Sequence, residues 1–101
     1  MEDRRRGADL IADERNRQIE EEGYTVEHDA QHLAGQLARA AECYLWVNAI
    51  VTNEDALAII GPPVFWPWKA EDWRPSADPI RNLVKAGALI AAEIDRQLRL
   101  R

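Results

Sequence analysis

The chain has 101 residues, enough for one domain, and carries 13 lysine and arginine residues against 18 aspartate and glutamate residues. The formal net charge of -5 excludes a general duplex-DNA binder, which needs a net basic face to release counterions from the phosphates. The single cysteine, Cys43, excludes an intramolecular disulfide and cannot make a zinc site by itself, so the reducing cytoplasm is the expected compartment.

The apolar stretches are too short to span a bilayer. The two most apolar ones, residues 40–51 and 83–92, fall below the roughly 20 residues that a bilayer requires and contain Glu42 and Lys85. The arginine-rich start of the chain lacks the unbroken apolar run of a secretory signal. We therefore expect a soluble cytoplasmic protein with no membrane partner.

A polar first helix is predicted from Asp9, its N-cap, to about Glu22, where Gly23 supplies a C-terminal stop. Residues 1–7 precede this helix and are expected to be flexible. Few of its residues are apolar, namely Leu10, Ile11, Ala12 and Ile19. The many charged side chains must therefore face water, one another or a site.

The main apolar seam predicts a long second helix from near Glu27 to about Val51. Its members recur at alternating steps of four and three, as Leu33, Leu37, Ala40, Tyr44, Val47 and Val51. A second stripe of the same helix carries chemically mixed residues, namely His28, His32, Gly35, Arg39 and Trp46. One face of this helix is thus expected to meet the core and another to meet a site.

The segment that follows is predicted to be irregular and rich in proline and tryptophan. Asn53 caps a short helix from Ala56 to Ile60, which Gly61 ends. Over residues 61–75 prolines interrupt regular structure, and four aromatic residues lie within nine positions, as Phe65, Trp66, Trp68 and Trp73.

Asp78 and Pro79 open a last helix that runs to about Leu98. Its apolar stripe is broad and consists of Ile80, Leu83, Val84, Gly87, Ile90, Ala91, Ile94 and Leu98. Gly87 and Ala91 lie one turn apart, and we expect them to face the small residues 38–41 of the second helix, so that the two long helices pack antiparallel with their backbones close.

The predicted fold is a single all-α domain of residues 1–101. It is a small antiparallel bundle of two long helices with a polar N-terminal helix, a short helix and an irregular loop. Because a core of this size is modest, we also expect a homo-oligomer.

The aromatic segment forms the leading candidate site together with its basic neighbours, which are Lys69, Arg74, Arg81 and Lys85. Indoles such as those of Trp66, Trp68 and Trp73 stack on nucleobases, and arginine grips phosphate through two hydrogen bonds. Arg81 and Lys85 lie one turn apart near the start of the last helix, whose N–H groups favour an anion. The alternative interpretation is structural, with the same rings forming a lid that enlarges a thin core.

Two further clusters contain the residue types of metal ligands. His28 and His32 place two imidazoles one turn apart beside Asp29, which suits a shared divalent ion but equally suits helix capping. A set of carboxylates suggests a magnesium or manganese site and consists of Glu20, Glu21, Glu22, Asp29, Glu93 and Asp95. A run of three glutamates is also typical of a solvated helix face.

Five motifs, taken together, resemble those of a family of small bacteriophage and prophage proteins. They are ER-x-RQ at 14–18, EGYT-x-EHD-x-x-H at 22–32, WPW at 66–68, W-x-P at 73–75 and R-x-LVKAGALIAAEIDR at 81–96. The resemblance covers residues 10 to 98 and names no activity. A phage origin implies action in the host cytoplasm, either on a host defence protein or on a nucleotide immune signal that a compact oligomer sequesters.

A weaker similarity links the acidic first helix and the last helix to MazG-like all-α nucleoside triphosphate pyrophosphohydrolases. Those enzymes pair a Glu-Glu-x-x-Glu motif with a Glu-x-x-Asp motif. Here Glu20, Glu21 and Glu22 lack the spaced third glutamate, and Glu93 and Asp95 stand at a different interval. The similarity implies metal-dependent hydrolysis as an alternative activity.

The sequence therefore favours a non-enzymatic phage accessory protein that binds or sequesters a small nucleotide-like phosphorylated ligand to counter host antiviral defence. The residues expected to bind this ligand are Arg15, Arg17, Tyr24, His28, Asp29, His32, Trp66, Trp68, Trp73, Arg81 and Lys85. No catalytic residue, cofactor or metal is expected, except Mg or Mn in the hydrolase alternative. A further alternative is an inhibitor that docks on a host protein through the tryptophan segment.

Overall fold

The regular structure of the described residues is helical. The computed structural model describes residues 5–22, 35–51 and 53–101. Across these ranges the elements are α1 (Gly7–Glu22), α2 (Gln36–Ile50), α3 (Glu54–Ile59), a 3₁₀ turn η1 (Ala70–Asp72) and α4 (Pro79–Arg99). The all-α class predicted from the sequence is confirmed. None of the helices in these ranges has the length and apolar character needed to cross a bilayer.

The start of α1 is capped from inside the helix. Asp9 accepts a hydrogen bond from the backbone N–H of Arg6 at 2.9 Å, and the helix already begins at Gly7. The prediction that Asp9 precedes the helix as its N-cap was wrong by one turn. Its carboxylate still lies at the positive end of the helix dipole, where negative charge is favourable.

The start of α2 corrects a second prediction. Gly35 has φ 90, a left-handed conformation that a right-handed helix cannot contain, and α2 begins directly after it. A continuous helix from Glu27 to Val51 is therefore wrong, because the helix that carries Arg39 and Trp46 begins only at Gln36. Residues 23–34 lie outside the described residues.

The apolar seam of α2 forms the centre of the core, as its periodicity predicted. Its buried apolar residues are Leu37, Ala40, Ala41, Cys43, Tyr44 and Val47. They form one cluster with Trp73 of the irregular segment and with Ala86, Leu89 and Ala92 of α4. Packing the seam against alanines brings the two helices close together.

The helices α2 and α4 run antiparallel, as predicted. Near the end of α2, Asn48 donates to the carbonyl of Pro79 at 2.9 Å and accepts from Asn82 at 2.8 Å. One turn earlier in α2, Tyr44 lies under the ammonium group of Lys85, one turn later in α4. Moving backwards along α2 therefore corresponds to moving forwards along α4.

The face of α4 that meets the core differs from the predicted one. Five residues of the predicted apolar stripe lie between 44% and 59% exposed, namely Ile80, Leu83, Ile90, Ile94 and Leu98. Val84 of the predicted stripe is buried, but the other buried apolar positions are Ala86, Ala88, Leu89 and Ala92, which the stripe did not include. The periodicity of α4 identified the more apolar stripe, but contacts with α1 and α2 select which side of the helix is covered.

The expected partner of Gly87 was also wrong. A Cβ at Gly87 would lie 2.5 Å from Cδ1 of Ile11, so this position faces α1 rather than α2. Glycine is required there because the side chain of Ile11 occupies the space beside the α4 backbone.

Two local predictions about helix starts are confirmed. Asn53 caps α3 by accepting from the N–H of Ala56 at 2.8 Å, and Asp78 caps α4 by accepting from the N–H of Ile80 at 2.9 Å. Pro79 stands in the first turn of α4, where it loses no helical hydrogen bond. Between the two helices, residues 60–78 contain only the short turn η1 and are called the aromatic loop below.

Candidate functional site

A recess of about 900 Å³ opens between α1, α2, the aromatic loop and α4. Its volume lies within the range of small-molecule sites in proteins. The described residues that line it are Glu14, Arg17, Gln18, Glu21, Tyr44, Trp66, Pro67, Trp68, Lys69, Asp72, Arg74, Lys85 and Leu89. The recess thus combines an aromatic wall with side chains of both charges.

The aromatic wall consists of partly buried rings that rest on buried ones. Trp66 and Trp68 meet edge to face, with centroids 5.4 Å apart and planes at 82°. Behind them, Trp73 lies 5.0 Å from Trp66 and 5.0 Å from Tyr44. Trp73 is only 8% exposed and belongs to the core. Trp66 and Trp68 therefore line the recess, whereas Trp73 supports it from below.

The aromatic loop is held in place by its own backbone and by α2. The indole nitrogen of Trp66 donates to the carbonyl of Lys69 at 2.9 Å, which closes a tight loop around Pro67. The N–H of Arg74 donates to the phenol oxygen of Tyr44 at 3.4 Å. Prolines and tryptophans in sequence indicated an irregular segment, but these contacts determine which rings face the recess.

The basic side chains of the recess come from three elements. Lys69 and Arg74 belong to the aromatic loop, and both are exposed at the mouth of the recess. Lys85 of α4 donates to the carbonyl of Arg74 at 2.6 Å and lies 5.6 Å above the Tyr44 ring. Arg17 extends from α1. Cations thus line both the wall and the entrance.

A buried carboxylate organises the α1 side of the recess. Glu14 is 2% exposed, and Arg17 grips it with two hydrogen bonds at 2.9 and 2.7 Å. Arg81 of α4 reaches the same carboxylate at 2.6 Å, and Gln18 donates to it at 3.2 Å. Burial alone would raise the pKa of Glu14, but the hydrogen bonds from Arg17 and Arg81 outweigh burial and lower it.

Three of the predicted ligand-binding residues do not line the recess. Arg15 lies 3.3 Å from the carboxylate of Asp95, away from the aromatic wall. Arg81 lies at a smaller depression of about 300 Å³, where it binds Glu14. Trp73 is in the core. The structure therefore separates Arg81 from Lys85, which sequence spacing had placed around one anion.

The start of α4 also offers less to an anion than predicted. The carboxylate of Asp78 already accepts the N–H of Ile80 at 2.9 Å, so the protein supplies its own negative group at this helix end. Four predicted ligand-binding residues remain outside the described residues, namely Tyr24, His28, Asp29 and His32.

The carboxylates of the hydrolase alternative are not brought together in the described part of the chain. Glu93 is held by Arg96 and Gln97, each at 2.8 Å, and Asp95 pairs with Arg15. Glu21 bonds to Arg17 at 3.2 Å, while Glu20 is exposed on α1. Among residues 5–22, 35–51 and 53–101, no group of three or more histidine, cysteine or acidic side chains is placed to hold a metal ion. Asp29 lies outside these ranges, and the side chain of Glu22 is not among the described groups.

Several recess residues were absent from the set that the sequence predicted to bind the ligand. Tyr44 belonged to the apolar seam, and only its hydroxyl group signals a position at the edge of the core. Lys69 and Arg74 were predicted as basic neighbours of the tryptophans but not among the residues expected to bind the ligand, and both line the recess. Gln18 and Asp72 carry no comparable signal, because only packing brings them to the recess.

The recess has the chemistry to hold an aromatic anion. Its indoles offer surfaces for stacking, its cations suit phosphate oxygens, and its carboxylates accept N–H groups of a heterocycle. In comparisons with known proteins, this chain matches no family model, no curated protein and no solved structure. What it does is therefore inferred from the chemistry of the recess.

Proposed function

We propose that this protein is a non-enzymatic binding protein that takes a small phosphorylated, nucleotide-like ligand into the recess. One observation carries the proposal: Trp66 and Trp68 share a cavity of about 900 Å³ with the basic residues Lys69, Arg74 and Lys85. Ligands that contain both a flat heterocycle and a phosphate require both kinds of group within one cavity.

The ligand's base would stack in the corner between the two partly buried indoles. Because Trp66 and Trp68 stand at 82°, one ring offers its face where the other offers its edge. Stacking of a base on an aromatic side chain contributes roughly 1–3 kcal/mol and tolerates any base. The supporting contacts of Trp66 with Tyr44 and Trp73 keep this corner rigid, which lowers the entropic cost of binding.

The ligand's phosphate would bind near the mouth of the recess. Lys85 is held by the carbonyl of Arg74, so its ammonium group stays beside the aromatic wall. Lys69 and Arg74 are exposed and can turn towards a phosphate without losing a buried contact. Charge-assisted hydrogen bonds to phosphate are about twice as strong as neutral ones.

The acidic residues of the recess favour a ligand with N–H donors. Asp72 and Glu21 line the same cavity as the indoles and accept hydrogen bonds from the amino or ring N–H groups of a nucleobase. These carboxylates also repel surplus phosphates, so the recess suits a ligand with few negative charges.

The proposal also includes a role in countering host antiviral defence, which the resemblance to small bacteriophage proteins supports. A phage product that binds a nucleotide without converting it would lower the free concentration of that nucleotide in the host cytoplasm. Sequestration of a nucleotide signal in this way would counter host antiviral defence.

Titration calorimetry and tryptophan fluorescence against AMP, ATP and cyclic mono- and dinucleotides test the proposal. We expect at least one of them to bind and to change the indole emission. Arg74→Ala should weaken that binding about 10-fold, because one charge-assisted hydrogen bond is lost. Trp68→Ala should weaken it by a similar factor through lost stacking.

Two matched controls separate recess effects from general ones. Arg99→Ala removes an exposed arginine at the far end of α4, and Trp46→Ala removes an indole that packs on Phe65 outside the recess. Both should bind the nucleotide as the wild-type protein does. Failure of every nucleotide to bind would overturn the proposal, as would turnover of a nucleotide in the presence of Mg²⁺ or Mn²⁺.

A further inference from the structure

Gln18 places a buried amide at the α1 side of the recess. The residue is 4% exposed and lines the cavity together with Trp66 and Trp68. Its amide nitrogen donates to the carboxylate of Glu14 at 3.2 Å, but its oxygen Oε1 is closed off from water and accepts no hydrogen bond from any described residue. A buried acceptor without a donor is costly, and folded proteins contain few of them. Gln18 therefore holds an acceptor for a donor that the described part of the chain does not supply.

The carboxylate of Glu14 fixes which end of the amide lacks a partner. A carboxylate only accepts hydrogen bonds, so the end of the Gln18 amide beside it is the nitrogen. Exchanging the two ends would press Oε1 against an anion that Arg17 and Arg81 already hold in place. The group that completes Gln18 is therefore a donor, such as the N–H of a ligand.

The oxygen of Gln18 can meet a ligand without breaking the bond to Glu14. The terminal torsion of a glutamine has a broad energy minimum. The N···O distance of 3.2 Å is at the long end of the hydrogen-bond range, so this bond restrains the amide only weakly. A modest rotation therefore turns Oε1 towards the cavity.

A second acceptor lies beside Gln18 on the same helix. Glu21 lines the same cavity, and residues three apart are neighbours on a helix surface. Its side chain is 66% exposed and bonds to Arg17 at 3.2 Å, an arrangement that leaves lone pairs of the carboxylate available. The α1 wall of the recess thus offers acceptors at two adjacent positions.

We propose that the ligand carries guanine and that Gln18 selects this base, an inference that rests on the proposed function. Guanine presents adjacent N–H donors on its pairing edge, one on the ring and one on its amino group. Adenine and cytosine place a ring-nitrogen acceptor beside their amino group, and its lone pair would face the acceptors of α1. Uracil and thymine have a single N–H between two carbonyl groups. Guanine is therefore the base whose donors match Gln18 and Glu21.

The groups that would read the base are separate from those that would hold the phosphate. Gln18 and Glu21 belong to α1, whereas Lys69 and Arg74 belong to the aromatic loop on the other side of the cavity. Changing the base of a nucleotide therefore alters the contacts with α1 and leaves the phosphate contacts in place. Base selection can fail while nucleotide binding persists.

Titration calorimetry with GMP and AMP, which carry the same ribose and phosphate, tests the selection. GMP should bind the wild-type protein at least about 10-fold more tightly than AMP. Gln18→Met keeps the length of the side chain but removes its oxygen, so it should weaken GMP binding about 10-fold and leave AMP binding unchanged. Gln97→Met is the matched control, because Gln97 also donates to a buried carboxylate, that of Glu93 at 2.8 Å, but does not line the recess. Circular dichroism checks that each variant keeps its helices.

Altered ligands test the same contact in the unchanged protein. The analogue 1-methyl-GMP lacks the ring N–H, and IMP lacks the amino group. At least one of them should bind the wild-type protein about 10-fold more weakly than GMP does. Equal affinities for GMP and AMP would overturn the selection, as would full affinity for both analogues or a folded Gln18→Met protein that still prefers GMP. Each of these results would leave nucleotide binding itself intact, whereas the failure of every nucleotide to bind would overturn the proposed function.

Discussion

The side chain of Ile11 occupies the space in which a Cβ of Gly87 would lie, with Cδ1 and Cγ1 at 2.5 and 2.8 Å from that position. This contact sets how closely α1 approaches α4. Because α1 carries Glu14 and Arg17 and α4 carries Lys85, the same contact sets the width of the recess between them.

Gly87→Ala should lower the free energy of unfolding. The added methyl group forces Ile11 from its position, an overpacking that costs about 1–3 kcal/mol, while the better helix propensity of alanine returns up to about 1 kcal/mol. Urea denaturation measures the difference. Gly61→Ala is the control, since nothing lies within 4 Å of a Cβ there. Ile11→Val should restore part of the loss, and a Gly87→Ala protein as stable as the wild type would contradict this account.

Stability should fall in acid because of Glu14. Arg17 and Arg81 hold its pKa below the ordinary value of 4.5, so its contribution is complete above pH 4.5 and is lost as the pH falls through the lowered pKa. Glu14→Gln should lower the free energy of unfolding at neutral pH by about 1–3 kcal/mol. The free energy of unfolding of this variant should also fall less than that of the wild type as the pH is lowered. Urea midpoints measured from about pH 7 to about pH 3 show both effects.

The matched control for this experiment is Glu71→Gln, which neutralises an exposed carboxylate in η1. Its acid dependence should follow that of the wild-type protein. Equal pH profiles for Glu14→Gln and the wild type would mean that the buried carboxylate does not govern acid stability.

Asn82 should be among the least replaceable polar residues. It is 3% exposed, accepts from the N–H of Ser76 at 2.7 Å, and donates to the carbonyl of Ser76 at 2.7 Å and to Asn48 at 2.8 Å. Asn82→Ala removes all three hydrogen bonds to these half-buried partners and should cost about 2–3 kcal/mol. Asn48→Ala should cost less, because it leaves both bonds to Ser76 intact. Equal losses in the two variants, measured in urea, would refute this ranking.

The thiol of Cys43 should react slowly in the folded protein. Burial raises its pKa from 9.0 to about 11, with a smaller contribution from Glu42, which leaves about 100-fold less thiolate near neutral pH. A chromogenic disulfide reagent at about pH 8 should therefore modify Cys43 only after urea is added. Rapid modification of the native protein would show that the core around α2 opens readily.

The local structure of this protein was largely readable from its sequence. Asn53 and Asp78 cap the helices that follow them, and Pro79 opens α4, because caps and prolines act on the backbone within one turn. The α2 seam through Leu37 and Val47 was equally clear, since a long apolar period has one stable outcome. Gly35 was misread because glycine is compatible with a helix until its φ is known.

Which candidate residues form the site could not be predicted from the sequence in the same way as the local structure. Indoles and cations were visible in the sequence, yet Trp68 lines the recess while Trp73 supports it from the core, and Lys85 reaches the recess while Arg81 turns to Glu14. The sequence by itself determined the helical class, most helix ends and the types of group available for binding. Only the tertiary structure decided which face of α4 is covered and which groups share one cavity, because those outcomes depend on contacts between residues far apart in the chain.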